Sequence, residues 1–195
     1  MIFLLKKYIK KRNKYNKHKE QNILYSREKR YLKQKQILKK YKKGLLIISL
    51  NIPGINKTKK IYKLFLKKIF YEKIIVFLKK EKIFFFYYKN EKIIKDDAGF
   101  YLNLILNKYT QRSLNKIKKK IIKLENSNEI FSLLDIDIMN IFHTKIKRSD
   151  LKINPRKCFL CNKNAKLCSF KKNHSLKKIL SFLKKKIKKF LLKYK

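Results

Sequence analysis

The chain of 195 residues has no tryptophan and very little glycine, proline, alanine or arginine. Gly stands only at Gly44, Gly54 and Gly99, Pro at Pro53 and Pro155, and Ala at Ala98 and Ala165. Acidic residues number 12 against 56 basic ones, and of the basic residues only Arg12, Arg27, Arg30, Arg112, Arg148 and Arg156 are arginine. No uncharged stretch approaches the roughly 20 residues of a membrane span. The apolar run at residues 2–5 is far shorter than the core of a secretory signal, on the order of 7–15 residues. An odd count of three cysteines argues against a disulfide framework. The chain therefore reads as cytoplasmic.

What is abundant is Lys, Ile, Asn, Phe and Tyr, giving a formal net charge of +44. Such a charge suggests nucleic acid or an anionic membrane. Residues with A/T-rich codons are inflated, however, and those with G/C-rich codons are nearly gone, as an AT-biased genome would produce in any protein. Most lysines are read as reporting that bias, and specific nucleic-acid binding is not expected. With 45% hydrophobic and 35% charged residues the chain can bury a core without being membrane-embedded.

Residues 1–19 are Lys- and Asn-rich and read as a flexible basic arm. Residues 20–183 read as the main domain, with a Cys/His module at 156–174, and residues 184–195 as a basic helical tail. Helical spacing is weak over 20–41, through Leu24, Tyr31, Gln34 and Leu38, and clear from Thr58 through Ile61, Leu64, Phe65 and Ile69. A third helix is marked by Leu114, Ile117, Ile121 and Leu124, and a last by Leu176, Ile179, Leu180, Leu183, Ile187 and Leu191. Short apolar runs at 44–52, 83–88, 100–106 and 130–142 read as strands. Residues 96–99 read as a turn. The order predicts an α+β domain with a mixed sheet flanked by helices.

Four constellations could carry chemistry. Asp135 and Asp137 alternate with Ile136 and Ile138, so a strand would point both carboxylates one way and the isoleucines into the core. Like charges on a half-buried strand need a divalent metal, a Lys/Arg pair or solvent. Magnesium suits one or two carboxylates plus phosphate oxygens, and an exposed lysine-paired face is the plainer reading. Second, the turn Asn51-Ile52-Pro53-Gly54 leads to Lys57 at a strand-to-helix junction, where backbone N–H groups favour phosphate; an ordinary Pro-Gly turn explains it equally. Third, Arg27 and Arg30 share a helix face and could fork onto phosphate or pair with acids. Fourth, Cys158, Cys161, Cys168 and His174 offer the soft donors of a tetrahedral zinc site. The alternative is a packed module of reduced cysteines.

In order and approximate spacing these pieces resemble one family. They are SREKR at 26–30 with Gln34, LIISLNIPG at 46–54 followed by Lys57, LLDIDI at 133–138, KRSDL at 147–151, and PRKCFLCNKNAKLC at 155–168 ending at His174. The family is the citrate lyase holo-[acyl-carrier-protein] synthases, and the resemblance covers about residues 23–183. It implies a nucleotidyltransferase-like fold and activity. The donor would be 2'-(5''-triphosphoribosyl)-3'-dephospho-CoA, the acceptor a serine of the citrate lyase acyl carrier protein, and pyrophosphate the second product. Asp135 and Asp137 would then hold Mg²⁺. Arg27, Arg30, Lys57, Arg148 and Arg156, with Asn51 and Gly54, would grip the donor, and Cys158, Cys161, Cys168 and His174 would shape a wall, with or without zinc. The chain departs from the family pattern at Phe131-Ser132 (usually Gly-Arg), Asn128-Glu129 (His-Pro), residues 96–98 (Gly-Pro-Glu) and Phe170 (Arg). Each lost charged contact to a polyphosphate is worth about 1.5–3 kcal/mol. The rival readings are a basic RNA-binding or ribosome-associated protein, a membrane-surface protein resting on the basic tail, and a decayed copy of the transferase.

Overall fold

The computed structural model describes residues 2–88, 93–161 and 163–194, with side chains from residue 13 onward. A long helix, α1 (Ile2–Tyr41), leads into strand β1 (Leu45–Leu50). Helix α2 (Lys60–Ile69) follows, and it continues through a π-helical turn (Phe70–Ile74) into α3 (Ile75–Lys80). Then come β2 (Phe85–Tyr87), β3 (Ile94–Asp96) and β4 (Gly99–Leu106). Helices α4 (Gln111–Ser127) and α5 (Glu129–Ser132) precede β5 (Leu134–Met139). A 3₁₀ turn (Ser149–Leu151), α6 (Ala165–Phe170) and α7 (Leu176–Leu192) complete the chain.

The α+β class holds, but the expected mixed sheet is antiparallel throughout. Its strands run β2-β4-β1-β5, with β3 also paired to β4. β2 pairs the second half of β4 and β3 the first half. The crossover from β4 through α4 to β5 does make two parallel strands, as a strand–helix–strand order suggests. β1 lies between them, antiparallel to both, so they never pair.

The two middle strands are covered on both faces, which is why β1 and β4 read as continuous apolar runs, whereas β5 at the edge alternates. One face carries Leu46, Ile48, Leu102, Leu104, Ile136 and Ile138 into the main core. There they meet Phe65 and Ile69 of α2, Leu114 and Ile121 of α4, and Leu183 and Ile187 of α7. Burying a side chain of this size stabilises by about 1.5–3 kcal/mol.

The opposite face changes character row by row along the strands. Leu45, Ile105 and Met139 form an apolar row that packs on Ile37 and Leu38 of α1. Ile47, Asn103 and Asp137 form the next, and Ser49, Tyr101 and Asp135 the third. α1 matches this gradient with Ile23, Ser26, Gln34, Ile37 and Leu38 buried, while Leu24 and Tyr31 are exposed. Of the face expected for α1, Gln34 and Leu38 point inward and Leu24 and Tyr31 do not, and the helix begins at Ile2 rather than near Glu20. Gln34 Nε2 donates to Asn103 Oδ1 at 3.4 Å, and the Arg30 guanidinium lies 4.0 Å over the Tyr101 ring.

Other boundaries move in instructive ways. The run at 130–142 begins as α5, capped by the Asn128 side chain accepting from the Ile130 N–H, before β5 starts. β3 and α6 were not anticipated; both are too short for periodicity to register. No helix among the described residues is long and apolar enough to cross a membrane.

Candidate active site

β5 places Asp135 and Asp137 on one face, half-buried, while Leu134, Ile136 and Ile138 are buried on the other. The main-chain groups of Ile136, between the two acids, point away from the sheet and are met by α4. Lys118 Nζ donates to the Ile136 carbonyl at 2.5 Å, and the Ile136 N–H donates to Glu125 Oε1 at 3.2 Å. Arg156 Nη1 donates to the Leu134 carbonyl at 2.7 Å, and the Ile146 N–H to the Ile138 carbonyl at 2.9 Å. Side chains and a loop thereby satisfy the outer edge of β5.

Three cations meet the carboxylates and a fourth stands behind them. Arg156 Nη2 lies 3.1 Å from Asp135 Oδ1, and Lys145 Nζ 2.5 Å from Asp137 Oδ2. Lys118 Nζ lies 3.8 Å from Asp137 Oδ1. The fourth, Arg148, stands behind Glu125, whose side chain is 1% exposed. Glu125 takes Arg148 Nη2 at 2.7 Å and Arg156 Nη2 at 2.6 Å. Burial, then the charge of Asp137, pushes the Asp135 carboxyl up from its usual range, with Arg156 and Lys145 opposing. Two carboxylates that repel while partly desolvated suit a divalent cation. Lys145, half-exposed on a flexible stem, is the partner such an ion would displace.

Arg27, Arg30 and Lys57 gather elsewhere, where α1 meets the β3–β4 hairpin. Arg30 forks onto Asp96, Nε to Oδ2 and Nη2 to Oδ1, both at 2.5 Å. Asp96 also accepts the Ala98 N–H, which sets the expected turn, and Gly99 closes it at φ +114°. Lys57 donates to the Ile52 carbonyl. Burial, then the charges of Arg27 and Arg30, lowers its pKa to about 8. This cluster joins the carboxylates along the third row of the sheet: Arg30 covers Tyr101, Ser49 lies next, and Asp135 ends the row.

Asn51 and Pro53 instead line a cleft of about 1320 Å³ with Glu125, Arg148, Arg156 and the Cys/His segment. At Gly54, whose φ is +78°, an added Cβ would come within 3.2 Å of Leu176 of α7 at the same place. The residues expected to grip a donor thus fall into two groups, with Arg156 between the cleft and Asp135.

The Cys/His segment forms one cluster. The donor atoms of Cys158, Cys161, Cys168 and His174 all lie within 4.8 Å of one another. Cys161 Sγ and Cys168 Sγ are 3.9 Å apart, and His174 Nε2 is 3.3 Å from Cys161 Sγ. A Zn–S bond of about 2.3 Å implies tetrahedral edges of about 3.8 Å, so the set fits a metal of that kind. Burial and the thiols of Cys158 and Cys161 push the Cys168 thiol up to about 11. For Cys158 burial pushes upward too, but hydrogen bonds from the Leu160 and Cys161 main chain and the neighbouring thiols outweigh it, and its pKa is lowered.

Sequence reasoning missed Glu125 and Lys118. Both sit on the inward face of α4, four residues after Ile121 and Leu114. An acid at an apolar register was the available signal for Glu125. Lys118 was hidden by the surplus of lysine. At the positions where the chain departs from the pattern of the family it resembles, Glu129 pairs with Lys186 of α7, and Phe170 is 86% exposed.

Residues 18–190 match the family model described as apo-citrate lyase phosphoribosyl-dephospho-CoA transferase. A probable apo-citrate lyase phosphoribosyl-dephospho-CoA transferase of Streptococcus pyogenes serotype M3 is 32% identical over 169 residues, covering 84% of this chain and 82% of that protein. Protein CitXG of Leuconostoc mesenteroides is 31% identical over 157 residues, which span 79% of this chain and 32% of that longer protein. A probable transferase of the same name from Vibrio cholerae is 28% identical over 69 residues, 35% of this chain and 39% of that protein. These likenesses favour the transferase reading over the RNA-binding one.

Proposed function

Because the chain belongs to the apo-citrate lyase phosphoribosyl-dephospho-CoA transferase family, we propose that it attaches the prosthetic group of citrate lyase as a nucleotidyltransferase. It moves the group from 2'-(5''-triphosphoribosyl)-3'-dephospho-CoA to a serine of the acyl carrier protein. The observation that carries the reading is the pairing of Asp135 and Asp137 on one face of β5, ringed by Arg156, Lys145 and Lys118.

In the proposed step the serine oxygen forms a bond to the α-phosphorus of the triphosphate, and the bond from that phosphorus to the bridging oxygen breaks. Pyrophosphate leaves with the bonding pair. Mg²⁺ held by Asp135 and Asp137 would neutralise the charge that develops on it. The serine proton passes to a carboxylate oxygen of Asp135 as the new bond to phosphorus forms. Arg156 steadies the non-bridging oxygens. Glu125 holds Arg156 in place, and Arg148 holds Glu125. Cys158, Cys161, Cys168 and His174 would hold a structural zinc that fixes the loop carrying Arg156.

The test is transfer to purified apo-carrier, read as the mass increase of the carrier. Wild-type chain should load it, and Asp135→Ala and Asp137→Ala should not. Wild-type rates in both variants would remove the carboxylate mechanism.

A further inference from the structure

The donor is longer than any one of the groups of residues described above, and it has chemically distinct ends. One is a triphosphate. The other is dephospho-CoA, an adenosine carrying a diphosphate and an amide-rich, largely apolar pantetheine arm. Two regions of this chain differ in the same sense: one adjoins Asp135 through Arg156, and the other lies two strands from it along the same row of the sheet.

The cleft beside Arg156 is larger than the roughly 300–1,000 Å³ of a drug-sized site. One wall is apolar. It is made of Phe159, Leu176, Ile179 and Phe182, and the Phe159 and Phe182 rings lie 6.4 Å apart at 32°. Leu176 remains 47% exposed there. The cleft is also lined by the side-chain amides of Asn51, Asn126 and Asn128; the oxygens of the latter two are held by Arg148 and the Ile130 N–H, and their NH2 groups can donate to a base or to the arm. Lys152 and Lys172 line it as well and can face a diphosphate, whereas Arg148 is occupied by Glu125.

In the other region, Arg27, Arg30 and Lys57 form a group in which Asp96 offsets Arg30. The repulsion that remains would be relieved by an anion. Between the two regions lie polar residues of the sheet, in part covered by α1. Ser49 is half-buried, and the Asn103 side-chain nitrogen, in the neighbouring row, has no hydrogen-bond partner although the residue is only 3% exposed. Tyr101 lies two strands from Asp135, so Arg30 above it stands about 10 Å away, a gap that a triphosphate closes together with its contacts at either end.

Resting on the transferase reading, we propose that the donor binds in two parts. Dephospho-CoA occupies the cleft between α7, the Cys/His segment and the Asn51–Pro53 turn, and the departing pyrophosphate occupies the cluster of Arg27 and Lys57. The α-phosphorus then falls at Asp135, with Arg156 at the junction. The cleft is the specificity pocket, and the α1 cluster is the exit for the leaving group.

Titration calorimetry with dephospho-CoA and with magnesium pyrophosphate, as separate ligands, tests this. Leu176→Ser, at an exposed position, and Phe182→Ala should each weaken dephospho-CoA at least tenfold and leave pyrophosphate within twofold. Lys57→Ala and Arg27→Ala should do the reverse. Circular dichroism establishes that each variant is folded, and Leu176→Ser serves if Phe182→Ala is not. Dephospho-CoA affinity unchanged in Leu176→Ser, or Lys57→Ala weakening both ligands equally, overturns the assignment. Carrier loading by the wild type is read in parallel. If loading proceeds while the cleft variants bind normally, the two-part site falls and the transferase reading stands. If neither ligand binds and no carrier is loaded, both fall.

Discussion

Arg156 donates to Asp135 across 3.1 Å, and through this contact the cleft adjoins the face that carries the carboxylates. Arg156 is also tied to the Leu134 carbonyl and to Glu125. A lysine could keep the charge but not the three-way fork. Arg156→Lys should slow carrier loading about ten- to a hundredfold, the size of one lost charged hydrogen bond. Steady-state kinetics with varied donor will read it, and the fall should appear in kcat as well as KM.

Asp135→Asn separates chemistry from folding. The Asp135 carboxyl holds its proton more tightly in the folded chain than in the unfolded one, because of burial and Asp137. Its contribution to stability is therefore full at acid pH and is lost as pH rises through the raised pKa. At neutral pH the charge works against folding. The variant should load carrier at least about a hundredfold more slowly, yet melt no lower than wild type at neutral pH. Scanning calorimetry at neutral and at acid pH should show any gain only at the higher pH.

Lys57 gives a pH signature. Its pKa is lowered to about 8 from 10.5, by burial and then by Arg27 and Arg30. Pyrophosphate affinity should fall as pH rises through about 8 and the ammonium is lost. In Lys57→Arg the affinity should stay level over that window, since guanidinium keeps its charge. For stability the sign is the reverse of a gain: the buried ammonium costs most below about 8, and the cost fades as pH approaches the unfolded value.

Glu125 is buried and serves two arginines and a main-chain N–H. Glu125→Gln leaves the Arg148 guanidinium without its counter-charge and Arg156 with Asp135 alone. Breaking a buried pair of this kind costs about 3–5 kcal/mol. Urea denaturation should show that loss, and loading should fall with it because Arg156 is released.

The Cys/His cluster predicts roughly one zinc per chain by elemental mass spectrometry, abolished in Cys161→Ser. A chelator should lower the melting temperature of the wild type and leave that of Cys161→Ser unchanged.

The three helical stretches with clear spacing and the strands at 44–52 and 100–106 were legible because burial imposes a period on them. The same-face placement of Asp135 and Asp137 was legible for the same reason. Strand partners were not. Nothing local in Leu45–Leu50 says that it inserts between β4 and β5, since pairing is decided by which apolar rows meet across the sheet. α1 misled in part because its inward face is polar in the middle: Ser26, Arg30 and Gln34 answer Tyr101 and Asn103, so of the stripe drawn through Leu24, Tyr31, Gln34 and Leu38 the last two face inward and the first two face solvent. Arg148 and Arg156 were legible as important cations but not as partners of Glu125, because an ion pair between residues more than twenty positions apart leaves no mark in either neighbourhood.

The clamp on Ile136 has a consequence for how faithfully the strand is threaded. Strand side chains alternate, so sliding β5 by one residue against β1 would bury Asp135 and Asp137 among leucines and turn Ile136 and Ile138 to water. Lys118 and Glu125 grip one peptide unit from outside the sheet, and so act as a detent that admits a single alignment. A helix two elements away from the chemistry thereby decides which way the acids look.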